Sequence, residues 1–413
     1  MPTNPNNFHT SSVKSNLNGP LAGIKVLDLS RILSGPFCTM LLSDLGAEVV
    51  KIERPQRGDP ARQMTARVGD DSAFFISVNR GKKSITLDIF VEEGRKLFTQ
   101  LVPHFDVLVE NFTPGTLSAI QLDYDSVKDA NPRLIYASIS GFGQTGPYAH
   151  KPALDIIIQA MSGLMSLTGE VDGAPIRPGA SLGDSIPGIF AALAVVSALY
   201  GRSQTGQGQH IDMSMLDCLV TMMENGFSRY FATGQVPNAI GSRHPGAAPF
   251  QSFKANDAYF VVAILSNDED VWSRFCLTIG QTDLGLDQRF QDNRGRTEHA
   301  EELGQILQAT FFKKPRSHWL RVLTEIGIPC GPVNNIEDVT KDPQVLHREM
   351  LTPIPHRTAG TWLVANTPFR FNSQSNGALE SSPELGQDSD DLLMSLLELP
   401  SSEIKRLRQQ RVI

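Results

Sequence analysis

The chain has 413 residues, about 2.7 times the ~150-residue span that one hydrophobic core usually serves, so two compact units, or one large unit with an appendage, are expected. Hydrophobic residues make up 40% and charged residues 20%, with no run of 18 or more uninterrupted apolar residues, which excludes fibrous, wholly disordered and transmembrane classes. With 37 Lys and Arg against 44 Asp and Glu, the net charge of -7 argues against a nucleic-acid partner and leaves a soluble globular protein with no membrane attachment.

Residues 1–20 are rich in Asn, Ser, Thr and Pro, lack the apolar core of a secretory signal, and read as a disordered leader. From Gly23 the pattern sharpens. Ile24 to Ser30 is an apolar, β-branched-rich strand. Gly35 to Ala47 is a helix with Pro36 near its start and Gly46 at its end, and Glu48 to Arg54 is a second strand. The spacing favours a parallel crossover, and the theme continues through the strand KSITLDI, the helix EEGRKLFTQLVPHF and the strands DVLVENF and RLIYASIS. An open, doubly wound, mostly parallel α/β sheet of Rossmann type follows. Next come a long apolar helix from Ser185 to Tyr200, the turn-rich GRSQTGQGQ, the strand HIDMSM and a helix around Asp217 to Ala232.

Composition shifts near Gly234, where GQVPNAIGSRHPGAAP is a Gly/Pro loop. Behind it QSFKANDAYFVVAIL reads as a hairpin with its turn at Ala255 to Ala258. Helices around Asp268 to Ile279, Glu298 to Phe312 and Ser317 to Ile326 fill a second, smaller α+β unit that ends at GIPCGPV. GTWLVANTPFRF is strand material, and two short helices split by Pro400 close the chain. The resulting division is a leader at 1–20, a large ligand-binding domain at 21–202, a linker at 203–229, a small domain at 230–332, a return linker at 333–375 and C-terminal helices at 376–413 that rejoin the large domain.

The four cysteines, Cys38, Cys218, Cys276 and Cys330, are dispersed, with no CxxC pair and no Cys/His cluster at zinc spacing. No metal is expected, and a reducing compartment fits: the cytoplasm, or the mitochondrial matrix in a eukaryote. One literal dinucleotide fingerprint occurs, Gly141-Phe142-Gly143-Gln144-Thr145-Gly146, directly after a strand. It fails its context test, because Pro147 and Pro152 bracket a loop where a helix should open onto the pyrophosphate.

Gly183-Asp184-Ser185-Ile186-Pro187-Gly188 lies where a loop enters the long apolar helix. Ser185 is a near miss for the GxSxG elbow of hydrolases, with Pro187 where the second glycine belongs. Asp184 is a candidate carboxylate nucleophile, kept ionised by the free N–H groups and positive end of the helix; by position alone the N-cap reading is the commoner one. Asp155 precedes another apolar helix, so the same two readings apply, and both acids lie on the face where open α/β sheets bind ligands. Arg243 and His244 sit in the Gly/Pro loop, a linker or a mobile lid.

Together these segments resemble the class III CoA-transferase family, which includes formyl-CoA and carnitine CoA-transferases and the α-methylacyl-CoA racemases. The resemblance spans about Pro20 to Ile413 and is carried by LAGIKVLDLSRILSGPFCTMLLSDLGAEVVKIERP, VNRGKKSITLDI, VENFTPG, SGFGQTGP, LGDS, TGQGQHIDMSM, GIPCGPVN and DPQVLHREM. It implies that Asp184 is the catalytic aspartate, attacking an acyl-CoA thioester and passing through an anhydride and an aspartyl-CoA thioester, with oxyanion donors from the Gly241 to Gly246 loop. It also implies CoA along Leu33, Ser34 and Gly35, with Arg54, Leu87, Asn111 and Phe112 around the nucleotide. The substrates are then CoA thioesters and small carboxylic acids, with no permanently bound cofactor, and the assembly is an interlocked homodimer.

Leu33 and Ala119 replace the Gln and Arg of the formyl-CoA enzymes, which speaks against formyl or oxalyl specificity. Leu154 replaces the His of the racemases, so racemisation, the first alternative, loses one of its two bases. A thioesterase using Ser185 is the second alternative. Through RILSGPF, VNRGKKSI and IRPG the chain is most similar to the succinyl-CoA:dicarboxylate branch, with Arg31, Arg177 and His244 as partners for a distal carboxylate. Arg177→Ala or His244→Ala is expected to raise the KM for a dicarboxylate acceptor more than for a monocarboxylate one; equal effects in steady-state assays would reject that role.

Overall fold

The structure, a computed structural model, describes residues 19–265, 267, 269–371 and 380–413. The leader thus lies outside the described residues except for Gly19 and Pro20, as does Asp268, taken above as the start of a helix. The chain divides into two compact units, one of residues 1–163, 178–224 and 346–413, the other of residues 164–177 and 225–345.

In the first unit six strands form one sheet: β1 (Lys25–Asp28), β2 (Glu48–Glu53), β3 (Lys82–Thr86), β4 (Val107–Glu110), β5 (Ile135–Ser140) and β6 (Gln209–Ser214). All neighbours are parallel, in the order β3-β2-β1-β4-β5-β6, with registers such as Val26↔Val49 and Val26↔Val107. This is the Rossmann strand order, and it reverses between β1 and β4, where such folds bind ligands. Four helices matter for the site: α1 (Ser34–Asp44), α2 (Glu92–Leu101), α3 (Asp155–Met161) and α4 (Leu182–Thr205). Gly46, at φ +100°, ends the turn after α1 in a conformation that favours glycine.

Alternation along the strands sends Leu27, Val50, Ile85, Leu108 and Tyr136 to one face, where Phe98, Leu101 and Phe105 pack with Leu393, Ile404, Leu407 and Val412. The last four belong to or follow the helices Ser389–Leu397 and Ser401–Gln409, so the C-terminal tail closes the core of this unit. The opposite face is covered by α1 and α4. By length and composition α4 could cross a membrane, yet Gly188, Ala191, Ala192, Val195 and Ala198 on one side of it are buried as in a core helix, while Ile189, Leu193 and Tyr200 are exposed.

Two segments differ from the sequence-based division. Residues 203–229, expected as a linker, carry the edge strand β6, whose pairing to β5 is invisible to local patterning. Residues 333–375, expected as a return linker, contain the hairpin Leu351–His356/Gly360–Ala365, where Ile354 and Val364 pack on Val68 and Ile76 of the first unit.

The second unit holds an antiparallel sheet of β7 (Phe250–Lys254), β8 (Tyr259–Ala263) and β9 (Cys330–Pro332). The expected turn is closed by the Ala255 amide on the Ala258 carbonyl at 2.9 Å. Helices α5 (Glu269–Thr278), α6 (Ala300–Phe311) and α7 (Arg316–Glu325) surround a core rich in aromatics: Phe253, Phe260, Trp272, Phe275, Phe311 and Trp319.

Candidate active site

At the end of β1 the chain turns sharply into α1. Ile32 has φ +66°, a conformation a β-branched residue adopts only when its surroundings impose it. Asp59 imposes it, accepting the Ile32 amide at 3.1 Å while pairing with Lys51 at 3.0 Å. Lys51 in turn donates to the Ser30 carbonyl at 2.6 Å. Asp28 accepts the Ser30 amide (2.9 Å), the Thr39 hydroxyl (2.7 Å), the Lys82 ammonium (3.0 Å) and the Ser30 hydroxyl. All these side chains are buried. Burial alone would raise the Asp28 carboxyl, but Lys82 and Lys51 outweigh it and hold it well below the usual carboxylate range. Burial pushes the Lys82 ammonium down to about 8 against the pull of Asp28.

From the end of β4, Asn111 clamps the same turn. Its Oδ1 accepts the Arg31 amide at 2.8 Å, and its Nδ2 donates to the Arg31 carbonyl at 2.8 Å and to the Ser34 hydroxyl at 3.2 Å. Gly35 lies so close to Ser30 that any Cβ would overlap that side chain. Leu33, buried, is the N-cap residue of α1.

Beyond the carboxyl ends of β1, β2, β3 and β4 opens a cavity of about 500 Å³, lined among others by Arg31, Arg54, Arg57, Leu87, Phe90 and Phe112. The Arg31 guanidinium lies 4.4 Å above the Phe112 ring, which meets Phe90 edge to face. Arg54, half exposed, stands 3.8 Å from Asp88. Planar cations around an apolar floor suit a ligand that joins phosphates to an aromatic ring. Of the residues expected around a nucleotide, Arg54, Leu87 and Phe112 line this cavity, and Leu33, Ser34, Gly35 and Asn111 build the turn beside it.

Asp184 is the third residue of α4, inside its first turn rather than ahead of it. The helix starts three residues earlier than the apolar run suggests, with Ser181 as N-cap. The Asp184 and Ser185 amides both donate to the Ser181 carbonyl (3.2 and 2.9 Å). The Gly183 amide donates to Asp155 Oδ1 at 2.8 Å, an oxygen that also accepts Gln159 Nε2 at 2.8 Å. Asp155 therefore does not cap its own helix, whose N-cap is Leu154; it caps α4. A Cβ on Gly183 would stand 2.7 Å from the Asp155 carbonyl oxygen, so glycine is required for this approach. Five residues on, a Cβ on Gly188 would stand 2.8 Å from the Ser34 carbonyl oxygen, so α4 presses against the turn beside the cavity. The first-turn amides of α4 are thus committed. Among the described residues no histidine hydrogen-bonds the Ser185 hydroxyl, so the elbow reading gains nothing, and no His, Cys, Asp and Glu group is placed to hold a metal ion.

The glycine-rich GFGQTG loop uses its own acid. Gly143 has φ +86°, and the Gln144 amide donates to both oxygens of Asp212 on β6 (3.1 and 3.0 Å).

In the second unit, Gly241 has φ +67° and donates its amide to the Gly169 carbonyl at 3.0 Å. The His244 amide goes to the Phe250 carbonyl (2.9 Å), and the Gly246 amide goes to His244 Nδ1 (3.1 Å). Each of these three amides is paired within the second unit. Arg177 lies in the 164–177 segment of the same unit. Residues 164–177 were missed as part of this unit, and Lys51, Asp59, Lys82, Glu110 and Asp212 were missed as functional support. The signal available for Lys51 was a lysine set between Val49, Val50 and Ile52 in the strand EVVKIE.

A profile of CoA-transferase family III matches residues 21–389. The chain is 43% identical to an acetyl-CoA:oxalate CoA-transferase of Acetobacter aceti, over 83% of this chain and 88% of that one. It is 37% identical to a succinyl-CoA:glutarate CoA-transferase of Mus musculus, over 95% and 90%. Among solved structures, a CAIB/BAIF family protein from Brucella suis superposes with a TM-score of 0.81 at 38% identity, covering 92% of this chain and all of that one.

Asp155→Ala is expected to weaken the start of α4, lowering stability by about 1 kcal/mol in chemical denaturation and turnover by about tenfold or more. Asp155→Asn keeps an oxygen acceptor and should restore most of the stability; equal losses in both variants would remove the capping role.

Proposed function

Because the chain belongs to CoA-transferase family III and is a CoA-transferase, we propose that it moves CoA reversibly from a donor such as succinyl-CoA to a small dicarboxylic acid, with Asp184 as the covalent carrier. The observation that carries this reading is a carboxylate fixed in the first turn of α4, on the helix that presses against the turn beside a cavity lined by three arginines.

In the proposed sequence the Asp184 carboxylate attacks the thioester carbonyl, the C–S bond breaks, and an anhydride forms with release of CoA thiolate. The thiolate attacks the Asp184 acyl carbon, giving an aspartyl-CoA thioester and the free donor acid. The acceptor carboxylate attacks that thioester, and the released thiolate attacks the acceptor's acyl carbon, restoring Asp184. One thioester is exchanged for another across the cycle, so no ATP is needed. Asp155 acts by holding the amide next to Asp184. Arg31, Arg54 and Arg57 would take the CoA phosphates, and CoA thioesters enter as substrates rather than as a resident cofactor.

Two of the relatives are named for oxalate and glutarate, both dicarboxylic acids. An acceptor as short as oxalate therefore belongs in the candidate set, against the expectation from Leu33 and Ala119. We also propose a homodimer, interlocked as the resemblance implies. Its support is the apolar face of Leu154, Ile157, Ile189, Leu193 and Tyr200, exposed on the first unit. The four unpaired cysteines suit the cytoplasm or the mitochondrial matrix.

Incubation with succinyl-CoA and a panel of glutarate, oxalate and acetate, read by mass, is expected to yield new dicarboxyl-CoA species. Asp184→Ala should lower turnover by about 10³-fold or more while leaving acyl-CoA binding within a few-fold. Full turnover in Asp184→Ala would reject the carrier role, and no transfer to either diacid would reject the substrate class.

A further inference from the structure

Glu110 ends β4, directly before the Asn111 clamp and two residues before Phe112, and the transfer chemistry does not use it. Its side chain is buried, with the residue 5% exposed. Its Oε2 accepts the Phe112 amide at 2.8 Å, and Ser138 of β5, whose hydroxyl pairs with His210 Nε2 at 3.0 Å, interacts with the same carboxyl. Arg31, above the Phe112 ring on the cavity side, faces it from the β1 turn and is shared with Asp59. Asp212 of β6 faces it with a like charge, and Tyr136 of β5 lies within its field. On the other side is a second, polar cavity of about 110 Å³, lined by Glu110 with Ser138, His210, Asp123, Tyr124 and Asp125. That volume admits a few water molecules, which gives the buried carboxyl a route for proton exchange.

The carboxyl thus lines a small polar pocket and is joined to the cavity with the arginines through the Phe112 backbone and the Arg31 charge. We propose that Glu110 is a positioning residue that couples binding of the CoA phosphates to uptake of a proton, acting through Arg31 and Phe112. The inference rests on CoA occupying the 500 Å³ cavity, as proposed above.

The direction follows from charge. An ionised Glu110 competes with an incoming phosphate for Arg31 and repels it; a protonated Glu110 leaves only Asp59 to share the Arg31 charge with the ligand. Burial, with Asp212 adding to it, pushes Glu110 up to about 7, and Ser138, the Phe112 amide and Arg31 offset this only in part. By linkage, bound CoA raises the proton affinity of Glu110 by the factor by which protonation tightens CoA binding. Affinity is therefore steady below about pH 7 and falls as pH rises from there toward the higher value in the complex.

The test is calorimetry of CoA binding to the full chain from about pH 6 to about pH 8.5, in buffers of differing ionisation enthalpy. The wild type is expected to bind about five- to tenfold more weakly at the upper end, with net proton uptake near neutrality. Glu110→Gln, which keeps an acceptor for the Phe112 amide, should lose that difference, and Glu110→Asp should keep it. The terminal phosphate of CoA titrates alike in each protein and cancels between them. Parallel affinity–pH curves in wild type and Glu110→Gln overturn the proposal. Should Glu110→Gln not fold, 3′-dephospho-CoA with the wild type decides: it lacks the titrating phosphate, so proton uptake supports the coupling and its absence overturns it. CoA binding that Arg31→Ala and Arg54→Ala both leave unchanged would instead remove the cavity reading on which the inference rests.

Discussion

Asp155 gives its carboxylate to the first free amide of a helix 28 residues away, and the geometry of the candidate site follows from that hydrogen bond. A 24-residue apolar helix needs acceptors for its leading N–H groups. In α4 these are Asp155 and the Ser181 carbonyl, and they set where the helix begins. With the start fixed, Asp184 falls in the first turn and Gly188 falls where α4 meets the Ser34 carbonyl. One rigid element thus carries the carboxylate and touches the turn beside the arginine-lined cavity. Gly183 and Gly188 have no side chains because backbone and acid from other elements occupy that space.

The turn itself is held from two sides. Below it, Asp28, Lys51, Asp59 and Lys82 form a buried ionic network whose charges are each matched by an opposite charge and by backbone groups, the condition under which buried ions are tolerated. Above it, Asn111 satisfies both backbone groups of Arg31. The left-handed Ile32 between them shows the two constraints acting together: a conformation that costs on the order of 1–3 kcal/mol persists because the surroundings over-determine it.

Much of the fold could be read from the sequence because its signals are local. The runs IKVLDLS, EVVKIER and RLIYASIS are β-branched and bounded by turn residues, and each forms a strand within a residue or two of its expected limits. What escaped was non-local. The edge pairing of β6, the membership of residues 164–177 in the second unit and the cap from Asp155 to Gly183 each join segments that no window of sequence spans. Lys51 and Lys82 look like ordinary strand charges until Asp28 and Asp59 are seen beside them. Asp184 was picked out by its place before an apolar run, yet its role as N-cap was misplaced by three residues because Ser181 and Asp155 begin the helix earlier.

The central claim is that one carboxylate carries CoA covalently, and trapping during turnover tests it most directly. Borohydride or hydroxylamine added to enzyme cycling between succinyl-CoA and a dicarboxylic acid, followed by peptide mass analysis, should modify Asp184 and no other acid. Modification of Asp155 or of another residue, or a fully active enzyme that never acquires a label, would contradict the account.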